Sequence, residues 1–169
     1  TYTPFYVFND TVHFVQAGNG EVFVADTIGG LRTKYNFDFG KYNFDISKLE
    51  EESVEFYVRH SHSIGTKYAN RFLAYGENSN YYISRFSFQK GIQHLLMDKK
   101  NNNIITFGRT KEKCLLMPVY MDENFLYYFA SPQELQVAIN PKILSDEDVV
   151  RFNSVSPDDN LVVIKCKFK

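Results

Sequence analysis

The stretch FYVFNDTVHFVQAGNGEVFVADTIGGLRTKYNFDF, residues 5–39, is broken at Asn9-Asp10, at Gly18-Asn-Gly20 and at Gly29-Gly30. Between the breaks lie runs 5–8, 11–16, 21–26 and 31–39, each of strand length and rich in β-branched and aromatic residues. Successive side chains of a strand point to opposite faces, so Val12 and Phe14 oppose His13 and Val15. By the same rule Tyr35, Phe37 and Phe39 share one face, opposite Lys34, Asn36 and Asp38. Very short connections can join only antiparallel neighbours, and the whole stretch therefore predicts an antiparallel meander.

The same punctuation recurs downstream. Strand patterns at 72–75, 81–88, 92–97 and 104–107 are separated by Glu77-Asn-Ser-Asn80, Gln89-Lys-Gly91 and Asp98-Lys-Lys-Asn-Asn-Asn103. A third block is less regular, with strands expected at 115–120, 125–130 and 161–168. Short helices are expected there at 132–139, with Pro132 in the first turn, and from a Ser145 cap through Phe152. Between the first two blocks, Ser47-Lys-Leu-Glu50 has capping-box spacing, and Glu50, Glu51 and Glu52 suit the positive end of a helix dipole. A helix over 48–59 follows, although Val54, Phe56 and Val58 also alternate as a strand would. Tyr-Asn-Phe-Asp occurs at 35–38 and again at 42–45, an odd offset that one strand would place on opposite faces. Gly40 ends the strand between the copies, and the duplication is local.

Blade-like units thus span about 3–40, 70–110 and 113–169, with a helical insertion at about 47–60, within one domain covering 1–169. Each unit closes before the next begins, which suits radially repeated sheets better than a sandwich. The expected class is all-β: β-propeller blades, about three four-stranded antiparallel units, with short helical insertions. Such an arc is a part of a propeller, since rings close with about 4–8 blades.

Composition narrows the function classes. The chain has 169 residues, 44% hydrophobic and 23% charged, which suits a folded domain rather than a disordered one. A formal net charge of −1 excludes the broad basic footprint of a nucleic-acid binder. Apolar runs are far shorter than the roughly 18 residues of a membrane span. No signal peptide is visible, and the chain starts at Thr1 instead of Met. Tyr and Phe number 12 and 16, with no Trp, a bias that favours strands. Of the two cysteines, Cys166 shares a strand face with Val162, Ile164 and Phe168, opposite Lys165, Lys167 and Lys169, and reads as a small core residue. Spacing leaves its pairing with Cys114 open, and with it the redox compartment.

Candidate sites read mostly as structure. His60-Ser-His62 is the closest histidine pair, but no third ligand has compatible spacing, so no structural metal is expected there. His13 and His94 fall within strands. Asp38, Asp45 and Glu50–52 supply carboxylates without a pocket to pair them, and Asp38 is expected to face solvent or satisfy a turn. Gly18, Gly20, Gly29 and Gly30 are turn glycines, and the 98–103 loop lacks the acidic spacing of a calcium loop. In Tyr81-Tyr82 and Tyr127-Tyr128 one ring of each pair should be core and the other nearer solvent, where it could stack on a sugar or base. Lys99, Lys100, Lys111 and Lys113 read as a solvated basic region. No residue is assigned as catalytic, cofactor-binding or metal-ligating, and no cofactor is expected.

Thr3-Pro-Phe-Tyr6, Asn9-Asp-Thr-Val12, Glu21-Val-Phe-Val24 and Lys34-Tyr-Asn-Phe-Asp-Phe-Gly-Lys41 together resemble the six-bladed β-propeller proteins of Bacteroidetes, a domain of unknown function. The run from Tyr35 through Asp38-Phe-Gly-Lys41 is the most telling, and Met97-Asp-Lys-Lys100 and Asp159-Asn-Leu-Val-Val-Ile164 are similar to later landmarks. Family members usually carry Asn-Pro where this chain has Asn160-Leu161. They are also about twice as long, so the resemblance implies the C-terminal part of a propeller whose other blades lie N-terminal. It further implies export to the periplasm or cell surface. The leading expectation is a non-enzymatic binding or scaffold module of unknown ligand, with a carbohydrate and a protein as the candidates. Association with the missing blades or with a second copy is expected. A carbohydrate-active hydrolase or lyase is the alternative, and a closed barrel holding a hydrophobic ligand is a third reading.

Overall fold

The computed structural model describes residues 5–16, 18, 20–26, 28–45, 47, 54–89 and 91–168. The chain is mainly β, with three antiparallel sheets and few helices, and it divides into two compact units, Thr1–Thr106 and Phe107–Lys169.

The first unit contains two four-stranded meanders. In the first, β1 (Phe5–Phe8), β2 (Thr11–Val15), β3 (Glu21–Ala25) and β4 (Leu31–Asn36) are neighbours in chain order. Asn9 and Asp10 both take positive φ, the geometry of a two-residue hairpin whose twist matches its strands. In the second, β5 (Asn70–Glu77), β6 (Tyr81–Phe88), β7 (Gly91–Asp98) and β8 (Asn103–Phe107) repeat the order. Helix α1 (Val54–Ile64) lies between the sheets in sequence. It runs five residues past the expected end at 59. The expected start at 48, Glu50 of the capping box, and Glu51 and Glu52 lie outside the described residues. Strand β5 is also longer than expected at both ends and takes in Glu77, which its place beside Asn78-Ser-Asn80 assigns to the turn.

The two sheets of this unit share one core. Val15, Val22 and Phe37 from the first pack with Phe72, Tyr82, Phe86, Leu95 and Met97 from the second. Tyr82 is its hub: fully buried, it meets Phe37 in a stacked pair at 5.4 Å, and Tyr35 and Tyr6 at 5.3 and 6.0 Å. Aromatic pairs of this kind contribute about 0.5–1.5 kcal/mol each beyond the area they bury. Phe39 continues the stack onto Phe86 and Phe72 at 4.9 and 5.4 Å.

The backbone crowds at Gly20, where a Cβ would stand 2.7 Å from the Phe37 carbonyl oxygen and 3.0 Å from the Phe37 Cβ. Phe37 N–H donates to the Gly20 carbonyl at 3.1 Å, so the two backbones cannot part without losing a bond. Gly20→Ala is expected to cost about 1–3 kcal/mol, read from the urea midpoint at unchanged m-value.

The second unit is a three-stranded sheet of β9 (Tyr120–Met121), β10 (Phe125–Ala130) and β11 (Val162–Lys167), in the order β11-β10-β9, with helices α2 (Pro132–Ala138) and α3 (Asp146–Ser154). Register pairs Leu126 with Cys166 and Tyr128 with Ile164. Ser131 and Glu134 form a full capping box on α2, and Ser145 caps α3 by accepting from the Asp148 N–H. Of the strand expected at 115–120, only Tyr120 is in a strand, the first residue of β9. Pro118 lies inside the expected stretch and has no N–H to give a ladder, while the Leu115 N–H donates instead to the Ala138 carbonyl at 2.9 Å. Both cysteines are free thiols, Cys114 buried and Cys166 half-buried, and burial pushes the Cys166 thiol up.

Candidate functional site: a buried carboxylate held by four donors

A polar cluster within the first unit is centred on Glu77, whose side chain has no exposed surface. Oε1 accepts from the Tyr35 hydroxyl at 2.8 Å and from Lys99 Nζ at 2.7 Å. Oε2 accepts from the Tyr6 hydroxyl at 2.8 Å and from Lys34 Nζ at 3.0 Å. Each oxygen thus takes one phenol and one ammonium. The donors come from β1, from β4 and from the β7–β8 turn, while Glu77 ends β5.

Local sequence explains each arm. Tyr6 lies between the more exposed Phe5 and Val7 and faces the core. Tyr35 pairs with Val22, but Phe23 pairs with Thr33, which leaves Lys34 as the extra residue of a β-bulge. A bulge re-aims the side chain it inserts. Strict alternation puts Lys34 opposite Tyr35; the bulge instead brings both to the same carboxylate. Lys99 likewise departs from its expected solvated role. Its ammonium donates also to the Asn78 carbonyl at 2.8 Å and lies 4.2 Å from the centre of the Phe8 ring, over which Lys34 also sits at 4.9 Å. Asn78 fixes the turn beneath by accepting from the Asn80 and Tyr81 N–H groups at 2.9 and 2.7 Å.

Electrostatics freeze the cluster in one protonation state. Burial alone would raise the Glu77 carboxyl, but Lys99, Lys34, Tyr6 and Tyr35 outweigh it and hold it below the ordinary carboxylate range. Burial, with the neighbouring Tyr82 and Glu77, pushes the Tyr6 phenol far up, and burial with the Glu77 hydrogen bond does the same to Tyr35. Burial lowers Lys34 against the pull of Glu77. His13 stacks on Tyr6 at 4.7 Å and is pushed down by burial and by Lys34. A carboxylate whose oxygens are both taken, and which water does not reach, is poorly placed to act as base or nucleophile. What it does is tie two sheets together.

The other nominated residues do not converge on this cluster. His60 and His62 are exposed, and among the described residues no group of three His, Cys, Asp or Glu side chains could hold a metal. Asp38 serves its own turn, accepting from the Gly40 N–H at 2.7 Å and from Asn43 Nδ2, which hold its carboxyl down. Asp45 accepts from Ser47, and Asp98 from the Lys100 N–H at 2.9 Å. Tyr82 and Tyr128 are fully buried, whereas Tyr81 and Tyr127 are only partly covered. Tyr127 donates to Asp122 at 2.8 Å and adjoins Tyr120 at 5.6 Å. Glu77 itself carries no distinguishing sequence signal, being one charge beside a polar turn; only the core-facing Tyr6 and Tyr35 hint that a polar partner must be buried among them.

No family model and no curated protein sequence matches the chain. Its fold is similar to that of a Bacteroides fragilis protein described as exported, whose crystal structure it matches with a TM-score of 0.67 at 12% sequence identity. The match covers 98% of this chain and 49% of that protein, so the chain spans about half of that protein's length. At this identity the likeness is one of fold alone.

Proposed function

We propose that the chain is the C-terminal part of an exported β-propeller of the six-bladed Bacteroidetes type, acting as a non-enzymatic binding or scaffold module. The observation that carries this reading is the repeated meander: two four-stranded sheets in chain order, packed face to face through Tyr82 as neighbouring blades are. Likeness in fold to a protein described as exported supports the exported part of this reading. The saturated Glu77 cluster favours a scaffold over an enzyme, because its four donors stabilise the folded state and leave no oxygen open to a substrate.

The outer face of the first sheet supports the same reading. Phe5, Phe14 and Phe23 form a ladder at 5.2 and 6.3 Å across β1, β2 and β3, flanked by the exposed Val7, Val12 and Leu31. In a ring this face would meet a preceding blade, and a contiguous apolar patch of this kind on a soluble chain usually marks an interface. The isolated 169-residue chain is therefore expected to self-associate in sedimentation and to bind a hydrophobic dye. A compact monomer that binds no dye would overturn the ring. A glycan array beside a hydrolase and lyase substrate panel addresses the activity: binding without turnover is expected, and turnover abolished by a single carboxylate substitution would replace this reading with a carbohydrate-active enzyme.

A further inference from the structure

Strand β5 breaks register with β6 between Asn70, paired with Ser87, and Leu73, paired with Arg85. Two residues of β5, Arg71 and Phe72, thus oppose the single Phe86, and the strand bulges. Phe72 turns into the aromatic core and Arg71 is left exposed at φ 55°. Other described non-glycine residues with positive φ are Asn9, Asp10, Gln89, Asn102 and Lys113, which lie in turns or loops; Arg71 lies within a strand. The left-handed conformation is strained for any residue with a Cβ and relaxed for glycine. Among the described residues Arg71 makes no ion pair or hydrogen bond that would offset that strain. A strained backbone that presents an unengaged side chain is a reason to look for a ligand.

Arg71 opens onto a cleft of about 120 Å3 lined also by Leu73, Arg85, Phe86, Ser87 and Ile92. Register places Leu73 beside Arg85 and Ser87 beside Ile92, so these four share the sheet face opposite the aromatic core. We propose that this cleft binds a small organic carboxylate, with the Arg71 and Arg85 guanidiniums gripping the carboxylate and Leu73 and Ile92 covering a short aliphatic body. Planar guanidiniums match a carboxylate through paired N–H donors, which favours it over a bare spherical anion. The Ser87 hydroxyl at the rim adds a rotatable donor. His94, opposite Arg85 in register, is buried and held neutral near pH 7 by burial and by Arg85, so it brings no further charge to this face. The inference stands whether or not the chain belongs to a ring.

The test is a methyl-detected NMR titration of the whole chain with butyrate, with butyramide as the uncharged isostere and with inorganic sulfate. Butyrate is expected to shift the Leu73 and Ile92 methyls and to saturate with Kd of about 1 mM. Butyramide should produce no saturable shift, and sulfate should bind at least about tenfold more weakly. Arg71→Gly should weaken butyrate at least about tenfold while raising Tm by about 2–4 °C, because glycine relieves the backbone. Arg85→Lys keeps the charge without the fork and should weaken butyrate similarly. Equal shifts from butyrate and butyramide, sulfate binding as tight as butyrate, or unchanged binding in Arg71→Gly would each overturn the assignment. A lower Tm in Arg71→Gly would also overturn it, since the side chain would then be serving the fold.

Discussion

Glu77→Ala is expected to lower the folding free energy by about 3–5 kcal/mol, the range for removing one partner from a buried charge cluster. The loss does not fall evenly on the four donors. Lys34 and Lys99 keep 22% and 19% of their side chains exposed and can turn their ammoniums toward water. Tyr6 and Tyr35 have less freedom, because their rings are fixed against Tyr82, and their hydroxyls would be stranded. Tyr6→Phe and Tyr35→Phe should each cost about 1.5–3 kcal/mol alone, as hydrogen bonds to a charged group do. In the Glu77→Ala background the same substitutions should cost little or even recover stability, a coupling that double-mutant cycles in urea would resolve. A cost below about 1 kcal/mol for Glu77→Ala would show that the cluster is not what joins the sheets.

Stability should also fall by about 3 kcal/mol between pH 6.5 and pH 4 through His94 alone. The imidazole is fully buried, and burial, with Arg85 second, holds it down to about 4 from the ordinary 6.5. Between those values the unfolded chain binds a proton that the folded chain refuses, so stability rises with pH across the window. The contribution is complete above pH 6.5 and gone below pH 4. His13, lowered by burial, pulls in the same direction. Glu77 adds a later loss: its stabilisation is present above the unfolded carboxyl value and disappears only as pH falls through its depressed folded value. Urea titrations at pH 7, 5.5 and 4.5 on the parent and on His94→Gln separate these effects. The variant should lose most of the slope above pH 4.5; an unchanged slope would mean that His94 is protonated in the fold.

Much of the architecture was legible because hydrophobic alternation and turn chemistry agreed. The expected limits 81–88 and 125–130 coincide with β6, which lies between polar turns, and β10, which starts after a polar turn and ends at the Ser131 cap of α2. Asn9-Asp10 marked a hairpin for a reason visible in its backbone, two residues that tolerate positive φ. What escaped is what alternation cannot encode. One inserted residue at Lys34 reverses a face, and that reversal depends on a register with β3 that the local run does not contain. The site escaped for a related reason. Glu77 differs from any surface glutamate only by the residues folded around it, the nearest of them in sequence 22 positions away. The apolar pattern of 115–120 predicts a strand that Pro118, with no N–H for a ladder, does not allow.

The arms of the Glu77 cluster are separated from it along the chain by 71, 43, 42 and 22 residues. No local encounter can assemble it; both meanders must form and then meet before either phenol and the second ammonium arrive. Contacts of such sequence separation are expected to close late, with φ-values near zero for Tyr6→Phe and Tyr35→Phe, and so to do little to speed folding. Their effect falls on the return path. A bond network missing from the barrier but present in the native state slows escape from it, and the buried carboxylate is in this sense a brake on unfolding. The network is therefore expected to lengthen the native lifetime more than it speeds folding, which unfolding rates in urea of the parent and of Glu77→Ala would show.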